Sequence, residues 1–270
     1  MITCLVRQTS NIDWIDKIQN TRVIYGNLDD INSLVKCMQE VDIVINIAGI
    51  RKALNVIEAM ERVGVKKGIF VNTTGIFSKF RMASEEYKFI EPKMIEKFRN
   101  NGVKFAIIRP TMIYGNGKDN NVRKFALYLN RHSLFPIFGD GSALIQPVYY
   151  KDVAKALIAL VENEQCWGKA YNVSGGVAIT YRRFIEIIAE ALGKKVRFIR
   201  LPLHPAVWAV SILNRIIPSF PIKTEQVLRT TEDRSFDYTD AKNCFGYNPI
   251  NFEEGIKLEI EELKREGYLR

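Results

Sequence analysis

Nothing in the sequence is built to cross a membrane as a helix, because no apolar run reaches the roughly 20 residues that a span needs. The opening stretch MITCLVRQTSNIDWI lacks the basic-then-apolar order of a secretory signal and reads as a strand followed by a turn. Low-complexity tracts and internal repeats are absent too, which argues against disorder and against a solenoid. Cysteine is sparse. Cys4, Cys37, Cys166 and Cys244 stand apart with no CxxC pair, a pattern that favours reduced thiols in a cytoplasmic protein over a disulfide or zinc framework. The two histidines, His132 and His204, have no ligand-like spacing, so no metal site is expected.

What is present is globular. At 270 residues and 47% hydrophobic content the chain has enough apolar surface for one domain with a smaller lobe, or for two closely packed domains. The net charge of +9 raises the question of nucleic acid, but Lys and Arg are interleaved with Glu, as in EEGIKLEIEELKREG. That spacing reads as a solvated basic surface biased towards anionic small molecules, with no nucleic-acid partner.

The first half alternates short β-rich runs with amphipathic helices, the pattern of a parallel sheet with crossover helices. Strands are expected over 2–6, 21–25, 41–47, 68–72 and 103–109, and helices over 30–38, 51–63 and 84–100. The run VDIVINI has the unbroken apolar character of a strand covered on both faces. Further helices are expected over 121–131, 151–162, 181–192 and 252–265, with Asp152 favouring the start of the second of these through cap and dipole. Short strands fall at 170–173 and 196–201. The stretch 204–217 is apolar around most of its circumference, and is read as a helix packed under a substrate lobe, with a lid or membrane-surface contact as the alternative.

Five segments, taken in order, resemble the extended and atypical short-chain dehydrogenase/reductases, the family of nucleotide-sugar epimerases and dehydratases. RVIYGNLDDINSLVKCMQEVDIVINIAG is similar to that family's third strand, helix and fourth strand, with Gly26-Asn27-Leu28 and Ala48-Gly49 at its marker positions. VNTTGIFS resembles the strand that carries a catalytic Ser or Thr, and IIRPTMIYGNG the segment that passes the nicotinamide. FGDGSALIQPVYYKDVAKAL and YNVSGGVAITYRRFIEIIAEALGK resemble the segments that return from and build the substrate lobe. The resemblance implies a Rossmann-like, doubly wound parallel α/β sheet over 1–165, with 112–135 lent to a smaller α/β substrate lobe formed mainly by 166–270.

On that alignment Ile2 to Val6 is the family's second strand. The family's opening strand and its G-x-x-G-x-x-G turn, about 30 residues in all, have no counterpart, since RQTSNIDW contains no glycine. A truncated chain is therefore expected, with a gap in the sheet and weak dinucleotide binding.

The resemblance implies NADP or NAD as cofactor, with Arg7, Asn27, Leu28, Ala48, Gly49, Pro110 and Thr111 lining its site. Arg7 after the first strand favours NADP, because a guanidinium pairs with a 2′-phosphate; a solvent-facing Arg is the alternative. Thr73 is placed to hold the reacting oxygen, and Tyr87 to exchange the proton. The family also needs a Lys four residues after the Tyr. Here that position holds Glu91; if Lys93 is taken instead, the Tyr position holds Phe89. Thr74, Tyr114, Gln146, Tyr149 and Arg229 are candidate contacts to a nucleotide-sugar substrate, with Arg229 and Arg234 suited either to phosphate or to surface salt bridges. Two functions remain open: an NAD(P)-dependent epimerase, dehydratase or reductase, and a non-catalytic NAD(P)-binding regulatory or assembly protein. A homodimer built partly on the 84–100 helix is also implied.

Overall fold

The computed structural model describes residues 1–15, 17–217 and 223–269. The first half runs β1 (Ile2–Val6), β2 (Thr21–Tyr25), α1 (Ile31–Cys37), β3 (Val44–Asn46), α2 (Ala53–Val63), β4 (Lys67–Val71), α3 (Arg81–Asn100) and β5 (Lys104–Pro110). Then come β6 (Ile113–Tyr114), α4 (Val122–Arg131), β7 (Leu134–Phe138), β8 (Leu144–Ile145), β9 (Val148–Tyr149) and α5 (Tyr150–Glu162). The chain continues with β10 (Lys169–Val173), β11 (Ile179–Thr180), α6 (Tyr181–Ala191), β12 (Arg197–Leu201) and α7 (Leu203–Ile216). It ends with α8 (Thr224–Leu228), α9 (Thr239–Phe245) and α10 (Phe252–Arg265).

Period-two alternation in the central strands sorts side chains between two helical layers. Phe70, Phe105 and Ile107 face α2 and α3, where Met60, Met94 and Phe98 are fully buried. Ile69, Ala106 and Ile108 face the other way, onto Val153, Ala156 and Leu160 of α5 and Ala241 and Phe245 of α9. The result is an all-parallel sheet in the order β10-β5-β4-β3, with helices on both faces. β10 comes from beyond residue 165, so the sheet draws on the second half of the chain as well. A second core gathers α4, α6 and α10 around Phe184, Phe252 and Ile260 to form the smaller lobe.

The sheet is split. β1 and β2 pair in parallel only with each other, and β3 is the outermost strand of the four-stranded sheet. Ile45 and Ile47 stand 44% and 72% exposed, so the expectation that VDIVINI is covered on both faces is corrected. The apolar run records what a strand needs to meet, and on this side no described strand pairs with β3.

Other expectations change more locally. Cys166 and Cys244, read as reduced thiols, are joined in a disulfide with Cα atoms 5.8 Å apart. Their separation of 78 residues hides a contact that exists only once α9 docks beside β10. Asp152 lies in the first turn of α5, but its carboxylate is buried and accepts the Ile250 N–H at 3.0 Å instead of capping that helix. Thr180 behaves as expected of a cap, accepting the Arg183 N–H at 3.1 Å. α7 is not packed under the lobe: Val210 is its buried residue, and Trp208 and Ile216 are 70% and 71% exposed. No described helix is long and apolar enough to cross a membrane.

Candidate functional site

Open parallel sheets leave their ligand crevice at the carboxyl ends of the strands. Here that edge carries Arg7 after β1, Asn27 and Leu28 after β2, Ala48 and Gly49 after β3, Asn72 to Thr74 after β4, and Thr111 after β5. Gly49 has φ 88° and ψ 177°, a backbone state essentially restricted to glycine, and it lets the chain turn sharply into the one-turn helix 50–52. Arg7, Asn27 and Ala48 are exposed. Asn27 Oδ1 accepts the Asp29 N–H at 3.0 Å, and Leu28 O accepts from Asn55 Nδ2 at 2.9 Å.

Next to this edge lies a cavity of 880 Å³. One wall is the β4 exit. Thr73 is extended there, its Oγ1 accepting the Gly75 N–H at 3.0 Å, which starts a one-turn helix and leaves the hydroxyl proton free to point at a ligand. Thr74 Oγ1 donates to Pro110 O at 3.2 Å, tying the β4 and β5 exits together. Beside them Asn72 is on the cavity lining, and its buried Oδ1 has no hydrogen-bond partner.

The opposite wall comes from 229–236. Glu232 fixes it, accepting from Ser78 Oγ at 3.0 and 2.9 Å and from the Lys79 N–H at 2.7 Å. Arg229 and Arg234 both line the cavity, and the Nε of each is buried without a hydrogen-bond partner. The nearest recorded carboxylate oxygen to Arg229 Nε, on Glu232, is 3.8 Å away. Burial, and then the neighbouring Arg229 charge, push the Arg234 guanidinium below its ordinary value. A buried Arg234 beside a half-buried Arg229, with Glu232 as their neighbouring carboxylate, makes this wall suited to an anion.

Thr73, Thr74, Pro110, Thr111, Gln146 and Arg229 thus meet around one cavity. Gln146 is a brace there, because its Nε2 donates to Gly175 O at 2.7 Å and its Oε1 accepts the Phe236 N–H at 3.0 Å. Tyr114 and Tyr149 do not reach the cavity. They are buried in the lobe core, with ring centroids 5.8 Å apart and Tyr114 5.1 Å from Phe252. In the two-residue β6 it is Ile113 that faces the cavity, and alternation sends Tyr114 to the core. Burial pushes the Tyr149 phenol up to about 12.

Tyr87 is not on the cavity lining and packs against the α2–α3 core, but it meets Thr73 across Gly75. A Cβ placed on Gly75 would lie 3.2 Å from the Tyr87 ring and 3.2 Å from Thr73 Oγ1. Lys93 is on the outer face of α3, exposed, its Nζ 3.8 Å from the Phe89 ring centroid, and it does not line the cavity. Glu91 is buried instead. Asn72 Nδ2 donates to its Oε2 at 2.6 Å, and Arg109 donates to both carboxylate oxygens, with Nε–Oε1 at 2.9 Å. The cation near Tyr87 is Arg51, 5.5 Å from the ring centroid and paired with Glu86 at 2.7 Å. Sequence reading passed over Arg51, since it arrives from the turn after β3, 36 residues upstream of Tyr87.

Behind the cavity, loop 115–121 leads to Asn121 on the lining. Glu259 of α10 is fully buried against this loop; its Oε2 accepts the Gly117 N–H at 3.1 Å and its Oε1 has no partner. Burial first, and then the carboxylates of Asp119 and Glu262, raise Glu259 to about 7.

The NAD(P)H-binding family model matches residues 1–164. The chain belongs to the NAD(P)H-binding family. It is 24% identical over 169 residues to NADH dehydrogenase 1 alpha subcomplex subunit 9 of Arabidopsis thaliana mitochondria, covering 60% of this chain and 40% of that protein. It is also 24% identical over 298 residues to 3beta-hydroxysteroid-dehydrogenase/decarboxylase isoform 1 of the same plant, covering 91% and 68%. Among solved structures, UDP-glucose 4-epimerase of Thermotoga maritima with UDP-glucose superposes with a TM-score of 0.74 at 20% identity, covering 98% of this chain and 91% of that one. The chain spans half or less of the length of the first curated relatives it matches.

The strand-end residues fit the ends of a nicotinamide dinucleotide. Gly49 admits a close backbone approach, and Arg7 offers an exposed cation. The linker between β1 and β2 runs as turns and bends, so among the described residues no helix N-terminus stands there to receive a pyrophosphate.

Proposed function

We propose that this is an NAD(P)-dependent enzyme of the epimerase, dehydratase or reductase type, acting on a nucleotide sugar or a related carbonyl or alcohol. One observation carries the substrate class: Arg229 and Arg234 line an 880 Å³ cavity together with Thr73, each with a buried Nε that no hydrogen bond satisfies and with Glu232 as the carboxylate beside them. A diphosphate between the arginines leaves the rest of the cavity for a sugar that extends towards Thr73 and Tyr87. The bound nicotinamide supplies hydride exchange. Thr73 orients the reacting oxygen, Tyr87 passes its proton, and Arg51 supplies the positive charge that the family's Lys would bring to the phenol. NADP is the preferred cofactor on the strength of Arg7. Pairing of α3 across a twofold axis, through exposed Met82 and Phe89, makes the protein a dimer.

The test is NADPH binding and turnover of nucleotide sugars by the protein. Tyr87→Phe is expected to lower kcat about a hundredfold with little change in KM. Arg51→Ala should follow it, whereas Arg51→Lys retains most activity. The second reading, a non-catalytic NAD(P)H-binding assembly subunit, is favoured by one observation: the family Lys position holds Glu91, locked to Arg109 and Asn72. Tight NADPH binding with no turnover and a silent Tyr87→Phe selects that reading.

A further inference from the structure

We infer that α7 and the basic segment leading into it dock this protein on an anionic membrane surface. Helices of globular proteins turn their apolar side inward. α7 does the reverse, because its exposed stripe reads Pro205, Trp208, Ala209 and Ile216, at the spacing of one helical face. Its other side packs on α8. An exposed Trp amid aliphatic residues is the side-chain chemistry of the lipid headgroup boundary, where the ring lies in apolar surroundings and the indole N–H stays hydrated. With 14 residues the helix is too short to span a bilayer, so it lies in the interface.

The charge pattern selects the occupant. From 191 to 224 the sequence contains six basic residues and no Asp or Glu. Lys194, Lys195, Arg197, Arg200 and Arg215 are all exposed, and β12 adds an exposed Ile199 between its two arginines. The acidic groups flanking this surface are Asp140, which faces Arg200, Glu186, which pairs with Arg182 beside Phe198, and Glu225 in the first turn of α8. A long run of one sign beside an exposed apolar helix fits phospholipid of negative charge better than a self-complementary copy of the same basic surface. The geometry also links this surface to the cavity: α8, packed on α7, leads directly into Arg229 and the 229–236 wall.

The experiment is co-sedimentation of the full chain with phosphatidylcholine vesicles, and with vesicles of phosphatidylcholine and phosphatidylglycerol at about three to one, in about 0.1 M salt. Binding to the anionic vesicles is expected to be at least roughly tenfold tighter than to the neutral ones, and to weaken with salt. Tryptophan emission should shift to shorter wavelength and be quenched by brominated lipid in the parent but not in Trp208→Ser. Trp208→Ser/Ile216→Ser should lose binding, and Arg197→Gln/Arg200→Gln should weaken it while flattening the salt dependence. Ile158→Ser, at an exposed apolar site on α5, should leave binding unchanged, and matched thermal melts verify that each variant folds. Absence of binding to anionic vesicles overturns the proposal, as does equal binding by Trp208→Ser/Ile216→Ser. A concentration-dependent dimer that shields Trp208 from an aqueous quencher overturns it in favour of a second copy.

Discussion

Glu91→Lys is expected to unfold the protein, although on paper it restores a Tyr-x-x-x-Lys spacing from Tyr87. Glu91 is 2% exposed and holds the Arg109 guanidinium through both carboxylate oxygens, with Asn72 Nδ2 as a third donor at 2.6 Å. Removing one partner of a buried ion pair costs about 3–5 kcal/mol, because the remaining charge loses its counter-ion but not its burial. A lysine here adds like-charge repulsion to that cost. Against a total stability of about 5–15 kcal/mol, the folded population is expected to fall sharply. Urea denaturation followed by circular dichroism measures it. Glu91→Gln should lose less, and Glu91→Lys/Arg109→Glu should recover part of the loss, since the pair is then rebuilt with its signs exchanged. A Glu91→Lys protein that melts within about 2 °C of the parent would falsify this account.

The second large effect is a pH dependence centred on Glu259. Its carboxyl is raised to about 7 from an ordinary 4.5 by burial, while the unfolded chain keeps the ordinary value. Between those two pH values the folded state holds a proton that the unfolded state has released. Stability therefore falls as the pH rises through this window, and levels off above the folded pKa. The full shift corresponds to at most about 3 kcal/mol. Glu259→Gln keeps the shape and an acceptor for Gly117, and it carries no charge at any pH. It should be as stable as the parent near pH 4 and more stable by up to about 3 kcal/mol near pH 8. Denaturation midpoints for both proteins at the two pH values give the difference directly. Parallel curves would remove Glu259 from the explanation.

Much of the sheet was legible because strands buried on both sides write themselves as apolar runs, and helices mark their own ends. Gly64 closes α2 at φ 78°, and Thr180 opens α6 with a side-chain bond, both as their residue types suggest. The β4 exit was legible for the same reason, with Thr73 and Thr74 at the end of a strand of hydrophobic residues. What stayed hidden depends on distance in sequence. Arg51 reaches Tyr87, Cys166 meets Cys244 and Glu232 grips Ser78 only because layers separated by many residues come together. Tyr114 and Tyr149 were misplaced on the substrate side because strands of two residues have no periodicity to read. Helix α7 misled for a different reason: an apolar helix has the same composition whether its partner is a core or an interface.

The split sheet has a consequence for how the molecule breathes. The β1–β2 ribbon has no strand neighbour in the four-stranded sheet, and it is fastened mainly through α1, whose Leu34 and Met38 share a core with Ile57 and Met60 of α2. The Asn55 bond to Leu28 and the Lys52–Asp29 ion pair, both at the exposed end, are the polar fasteners. Such a ribbon forms its own cooperative unit, able to swing off its two-helix clasp while β4 and β5 stay closed. Amide protons of β1 and β2 should accordingly exchange with solvent long before those of β4 and β5. A ligand that bridges β1 to β3 would act as a latch, turning two independently opening bodies into one.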